Sequence, residues 1–151
     1  AGLMNQKAAA LGCTGTHFVN PNGLNDSNHY TTPYDMALIA RAAFQNDTLR
    51  KIDTTLSYKF PATKNAGERT ITMGHKMMYS TDSRYYPGII GGKTGYTSKA
   101  GNTLVTGAEK NGVRLIAVVM KSKSTHYADT KALLDYGFAK MAAGGNSGAG
   151  V

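Results

Sequence analysis

Asn111-Gly112 lies between two runs rich in apolar and β-branched residues, Thr103 to Glu109 and Val113 to Lys121, and constrains the fold more than any other feature of the chain. An Asn-Gly pair tolerates positive φ at both central positions of a two-residue turn, and that turn matches the twist of two antiparallel strands. A third run, Gly88 to Thr97, precedes the pair, so three successive antiparallel strands are predicted. Such a sheet has to bury a face against another layer. Thr125 to Lys140 reads as the covering helix, with Ala128, Ala132, Leu133 and Tyr136 available to meet the sheet.

Upstream, Thr32-Pro33-Tyr34-Asp35 combines an N-cap hydroxyl, proline at the first helical position and a carboxylate two residues on. With Leu38, Ile39, Ala42 and Ala43 on one face, it predicts a helix from Pro33 to about Gln45. Leu3, Met4, Ala8 and Leu11 recur at helical spacing, and Gly12 is placed to stop that helix. Between Thr14 and Thr31 the chain is rich in Pro, Asn, Asp and Gly and reads as a loop. Leu56, Tyr58 and Phe60 alternate with polar residues, as do Ile71 and Met73, with Asn65-Ala66-Gly67 as a turn; Pro61 ends the first strand or puts it at an edge. The expected class is α/β of the α+β kind: an antiparallel sheet covered by a C-terminal helix, with an N-terminal helical segment and a small hairpin.

The chain has 151 residues, 41% of them hydrophobic, which suffices for one domain with a core. It enters its first helix at Ala1-Gly2-Leu3 without a capping side chain, so it is expected to begin inside an element, and the Gly-, Ala- and Ser-rich stretch 142–151 reads as a flexible tail or linker. The formal charge of +8 is spread from Lys7 to Lys140 with no run, a distribution that argues against nucleic-acid tracking and fits a solvated surface or diffuse attraction to anionic polymers. Cys13 is the single cysteine, so no internal disulfide forms, and it is expected to be a small buried apolar residue. His17, His29, His75 and Cys13 show no paired ligand spacing, so no metal site is expected, and Met73, Met77 and Met78 read as packing residues.

The segment Gly91-Gly92-Lys93-Thr94-Gly95-Tyr96-Thr97-Ser98-Lys99-Ala100-Gly101-Asn102-Thr103-Leu104 sets a cation, hydroxyls and bare backbone along one strand. It resembles the third, Lys-Thr-Gly motif of the penicillin-recognising serine enzymes. Asn20-Pro21-Asn22-Gly23-Leu24, His29 to Ala37 and Leu133 to Phe138 extend the likeness from Leu3 to Met141, to the serine-type D-alanyl-D-alanine carboxypeptidases. That family carries two further motifs, Ser-x-x-Lys with the nucleophile and Ser-x-Asn with a relay serine. Neither is present: Ser80 leads to Ser83, Ser98 to Gly101, and neither Ser27 nor Ser147 is followed by Asn two positions on. The resemblance therefore implies the carboxy-terminal part of a catalytic domain over residues 1–141, within a penicillin-binding, β-lactamase-like fold.

It further implies removal of terminal D-Ala from peptidoglycan stem peptides through an acyl-serine intermediate, without a cofactor, outside the cytoplasmic membrane at the cell envelope. The partners it implies are stem peptides ending in D-Ala-D-Ala, β-lactam antibiotics and a companion chain bearing the amino-terminal half; this chain alone is expected to be inactive. Lys93 is implied as the catalytic cation, and Lys93, Thr94, Gly95 and Thr97 as substrate-binding residues, with the Thr97 backbone N–H as one arm of an oxyanion hole. His126 stands where some relatives have an Arg for the terminal carboxylate, and joins the substrate-binding set. Tyr96 is expected to be a cleft-wall or core-facing residue, and Gly91-Gly92 either a bulge or a ligand contact. The alternatives are a noncatalytic module that binds cell-wall peptides and a β-lactamase-related hydrolase.

Overall fold

The computed structural model describes residues 1–144. Their order is α1 (Gly2–Ala10), α2 (Pro33–Phe44), α3 (Asp47–Asp53), β1 (Ser57–Phe60), β2 (Arg69–Thr72), a 3-10 turn (Lys76–Met78), β3 (Ile89–Thr97), β4 (Gly101–Lys110), β5 (Val113–Ser122) and α4 (His126–Gly144). The chain is an α+β arrangement in which β3, β4 and β5 form one antiparallel sheet and β1 and β2 a separate hairpin. Lys110 pairs with Val113 across Asn111-Gly112, whose φ values of 52° and 76° are the two positive angles that turn demands. Thr97 pairs with Gly101 across three residues, and Gly101 closes that longer hairpin at φ 64°.

Strand alternation puts Leu104, Thr106 and Ala108 on one face of the sheet and Val105 and Gly107 on the other. Against the first face, Leu134 of α4 joins Met77, Tyr86, Leu104, Ala108 and Ala117 in the main core, with Ile89, Leu115, Tyr127 and Phe138 packed around it. The second face receives α2, through Phe44. Gly91 and Gly107 are cross-strand partners, and a Cβ on either would stand 2.5 Å or 2.6 Å from the Phe44 ring. The two glycines thus make a seat for one aromatic ring. Gly91 follows a register shift after Ile89, so the Gly91-Gly92 pair marks both a bulge and a tight packing site.

Several expectations need correction. The buried face of α4 is Tyr127, Thr130, Leu134, Gly137 and Phe138, whereas Ala128, Ala132, Leu133 and Tyr136 are exposed. Gly137 decides this phase, because a Cβ there would lie 2.7 Å from Leu115 and the helix approaches β5 at that point. α4 also continues to Gly144, so residues 142–144 are helical, and the remainder of the expected tail lies outside the described residues. Cys13 is half-buried and its thiol donates to the Asp35 carbonyl, which places it at the edge of the packing. Leu3 is 82% exposed, and of the α1 residues only Ala8 is buried. α3 was not foreseen, although Asn46 caps it by accepting from the Leu49 N–H and Asp47 supplies an acid in its first turn.

Candidate active site

β3 is an edge of the three-stranded sheet, so one line of its backbone groups faces away from β4. Lys93, Thr94, Gly95 and Thr97 all stand on it, opposite Val105, Leu104, Thr103 and Gly101. Lys93 is exposed and its ammonium donates to the Thr94 carbonyl. With Gly92 and Thr94 it lines one side of a cleft of about 740 Å³ closed by α3 and by Tyr58, Phe60 and Ile71 of the hairpin. Gly95 has an internal reason to lack a side chain: a Cβ would stand 2.6 Å from the Thr103 hydroxyl. Tyr96 is 70% exposed and is therefore not a core residue.

Thr97 ends the strand with its hydroxyl already engaged. The hydroxyl donates to Asn25 Oδ1 at 3.0 Å and accepts from the Ala100 N–H at 2.9 Å. A carboxylate that takes this donor must displace Asn25, since a hydroxyl has one proton to give. Asn25 belongs to the Asn-rich loop, which is held at its base by Asp35. That buried carboxylate accepts from the Gly15 N–H and the Thr16 hydroxyl, both at 2.7 Å, while Thr32 caps α2 by accepting from the Asp35 N–H. The Thr16 hydrogen bond and the backbone donors hold the Asp35 carboxyl below the usual range against the opposing effect of burial. Asn5 also clamps the loop by exchanging two hydrogen bonds with the Phe18 backbone.

His126 begins α4 and lies one segment away from β3. The intervening residues 73–76 touch both: a Cβ on Gly74 would be 3.2 Å from the Thr94 hydroxyl, and Tyr127 donates to the Gly74 carbonyl and accepts from the Lys76 N–H. In the middle is His75, fully buried, with Nε2 2.7 Å from the Thr106 hydroxyl and its ring edge-on to Tyr127. The His75 ring fills the space beside Gly92, where a Cβ would come within 2.6 Å of it. Burial pushes its pKa down to about 4, so the imidazole is neutral at physiological pH. Lys93 and Thr94 are thereby held on a strand braced from behind by a neutral histidine.

Three residues of this neighbourhood escaped sequence reasoning. Asn25 looked like one more turn residue, and only its pairing with Thr97 distinguishes it. His75 was weighed solely as a metal ligand, yet it is a packing residue; among the described residues no group of three His, Cys, Asp or Glu could hold a metal. Asp53 lines the cleft opposite Lys93 and its carboxyl is raised by burial, an effect the nearby Lys93 partly offsets. The capping Asn46 followed by Asp47 in the first turn of α3 was the available signal for the helix that carries it. No helix among the described residues is long and apolar enough to cross a membrane.

Comparison with known proteins agrees with this architecture. The sequence pattern described as D-alanyl-D-alanine carboxypeptidase matches residues 1–124. The chain is 36% identical over 143 residues to the D-alanyl-D-alanine carboxypeptidase DacB2 of Mycobacterium tuberculosis, covering 90% of this chain and 47% of that protein. It is 32% identical over 139 residues to DacF of Bacillus subtilis, covering 91% of this chain and 34% of that protein. It thus spans between a third and a half of these relatives' length. Among solved structures, a Mycobacterium tuberculosis D-alanyl-D-alanine carboxypeptidase superposes with a TM-score of 0.79 at 36% identity, over 90% of this chain and 52% of that one. A Streptomyces DD-transpeptidase superposes at 0.82 with 33% identity, over 91% of this chain and 53% of that one. With the pattern spanning most of its length and the fold shared, this chain belongs to the D-alanyl-D-alanine carboxypeptidase family.

Proposed function

We propose that this chain is the substrate-holding part of a serine-type carboxypeptidase that removes the terminal D-Ala of peptidoglycan stem peptides and is acylated by β-lactams, at the cell envelope. The observation that carries the reading is the position of Lys93 and Thr94: on an exposed edge strand and in the wall of a cleft. An extended peptide adds to such an edge through its own backbone, which fixes the scissile bond in register with the strand. Lys93 supplies positive charge for an alkoxide-like nucleophile and for the substrate carboxylate, and Thr94 adds a hydroxyl donor. Thr97 contributes its backbone N–H to the oxyanion and, after exchange with Asn25, its hydroxyl. Gly95 admits close approach of the peptide, and His126 at the start of α4 receives the terminal carboxylate.

The nucleophile comes from a companion polypeptide segment. In support, the outer edge of β5 has no strand partner among the described residues, while α2 and α4 border a groove along it, lined by Tyr34, Ile116, Val118 and Leu133. An intact-mass spectrum under denaturing conditions, before and after incubation with a penicillin, tests the reading. A second polypeptide that gains the adduct is the expected result. A single unmodified chain that still binds D-Ala-D-Ala peptide would replace it with the noncatalytic binding module, and an adduct on this chain would overturn the assignment of the nucleophile.

A further inference from the structure

We infer that Tyr127 is a positioning residue for the reaction at Lys93: its hydroxyl fixes the short segment 74–76 that wedges against the back of β3, and so sets where Lys93 and Thr94 stand. The inference rests on the proposed role of β3 and adds what keeps that strand in place.

Behind β3 the chain is irregular, because β2 ends at Thr72 and the 3-10 turn begins only at Lys76. Two tyrosines fix the stretch between them. Tyr79 holds the near end, donating to the Met73 carbonyl at 2.8 Å. Tyr127 holds the far end: its hydroxyl donates to the Gly74 carbonyl at 3.3 Å and accepts from the Lys76 N–H at 3.2 Å. Those bonds use its one proton and a lone pair. Neither backbone group has another hydrogen bond among the described residues.

What the segment presses upon is the reacting strand. The His75 ring, 2.7 Å from the Thr106 hydroxyl, lies over the cross-strand pair Gly92 and Thr106, so close that a Cβ on Gly92 would come within 2.6 Å of it. A Cβ on Gly74 would meet Thr94 Oγ1 at 3.2 Å and, apart from its chain neighbours, nothing else within 4 Å among the described residues. The contacts at Gly92 and Thr94 bracket Lys93. Close-packed groups leave little slack, so a shift of the segment passes to the strand. The Tyr127 ring is itself fixed, edge-on to His75 at 6.0 Å, under the Arg84 guanidinium at 5.0 Å, and packed against the main core. Tyr127 also follows His126 directly in α4, so one hydroxyl ties the proposed carboxylate end of the site to its Lys93 end.

Removing that oxygen is a mild change for the fold. Gly74 and Lys76 are exposed, so water takes over both bonds in Tyr127→Phe while the ring keeps its packing. Catalysis is less forgiving, because a reacting group must be held close to its productive geometry.

The test measures acylation by a fluorescent penicillin over a range of concentrations. It uses the assembled enzyme, this chain with the polypeptide that bears the nucleophile, and the variants Tyr127→Phe, Gly74→Ala and Tyr136→Phe, with a thermal melt of each. Tyr127→Phe should lower the limiting acylation rate about tenfold, with the half-saturating concentration changed by less than about twofold and the melt by no more than a few degrees. Gly74 has no positive φ and an added methyl meets only Thr94, so Gly74→Ala should slow the limiting rate in the same way. Tyr136 is an exposed tyrosine of the same helix, and Tyr136→Phe should match the unaltered enzyme. An unchanged limiting rate in Tyr127→Phe, or an effect confined to the half-saturating concentration, overturns the inference and leaves the carboxypeptidase reading in place. If Tyr127→Phe melts below the assay temperature, Gly74→Ala decides, and an unchanged rate there overturns the inference. No acylation of the unaltered enzyme overturns the carboxypeptidase reading and the inference with it.

Discussion

The Thr97 hydroxyl donates to Asn25 across 72 residues of sequence, tying the end of the edge strand to the tip of the Asn-rich loop. The bond is exposed, so its net contribution is on the order of 0.5–1.5 kcal/mol. Asn25→Ala and Thr97→Val should each destabilise the chain slightly. Urea denaturation of the single and double variants should give a coupling within that range. Additive effects would mean that the loop is held by Asp35 and Asn5 without help from this bond.

Phe44 and Gly107 form a second dependent pair. Phe44→Ala removes the ring that fills the seat between two strands and should cost about 3–5 kcal/mol by denaturant titration. Gly107→Ala drives a methyl to within 2.6 Å of the same ring. Its cost, about 1–3 kcal/mol for an overpacked site, should shrink in a Phe44→Leu background, where the shorter side chain leaves room. Equal costs in both backgrounds would show that the glycine answers to the backbone and not to the ring.

His75 predicts an acid-sensitive stability. Its pKa is lowered from 6.5 to about 4 by burial, so the unfolded chain binds a proton before the native state does. Unfolding free energy is therefore undiminished above about pH 6.5 and falls as the pH drops from 6.5 toward 4, by about 3 kcal/mol in total. Asp35, whose carboxyl is held low by the Thr16 hydroxyl, adds its own loss only at more acidic pH. Denaturation midpoints measured between pH 7 and pH 4, in roughly half-unit steps, should decline in the unaltered chain and flatten over that window in His75→Gln. An unchanged slope in the variant would assign the acid response to other groups.

Lys93→Ala should weaken binding of a D-Ala-D-Ala peptide by about tenfold, the scale of one charge-assisted hydrogen bond to a carboxylate. The exposed position of Lys93 predicts little change in the thermal melt. Calorimetric titration beside a melting curve separates the two effects. A full-strength interaction in the variant would remove Lys93 from the binding site.

Local chemistry made much of this protein legible in its sequence. Asn111-Gly112 dictates a two-residue hairpin because few other pairs accept two positive φ angles, and Thr32-Pro33 starts α2 because the hydroxyl caps it and the ring presets the first turn. The Lys93-Thr94-Gly95 block and its flanks were enough to indicate the family. Tertiary packing decided the rest. The face that α4 buries was misread because Ala128, Ala132 and Leu133 look apolar, while the true phase follows from the close approach of Gly137 to Leu115. The reason for Gly91 lies in Phe44, 47 positions earlier, and that for Gly95 in Thr103 on the neighbouring strand. Sequence by itself determined the elements whose signals fall within a few residues of one another. Which side chains meet around Lys93, namely Asp53, His75 and, through Thr97, Asn25, depended on contacts between distant segments, and only the folded chain brings those into range.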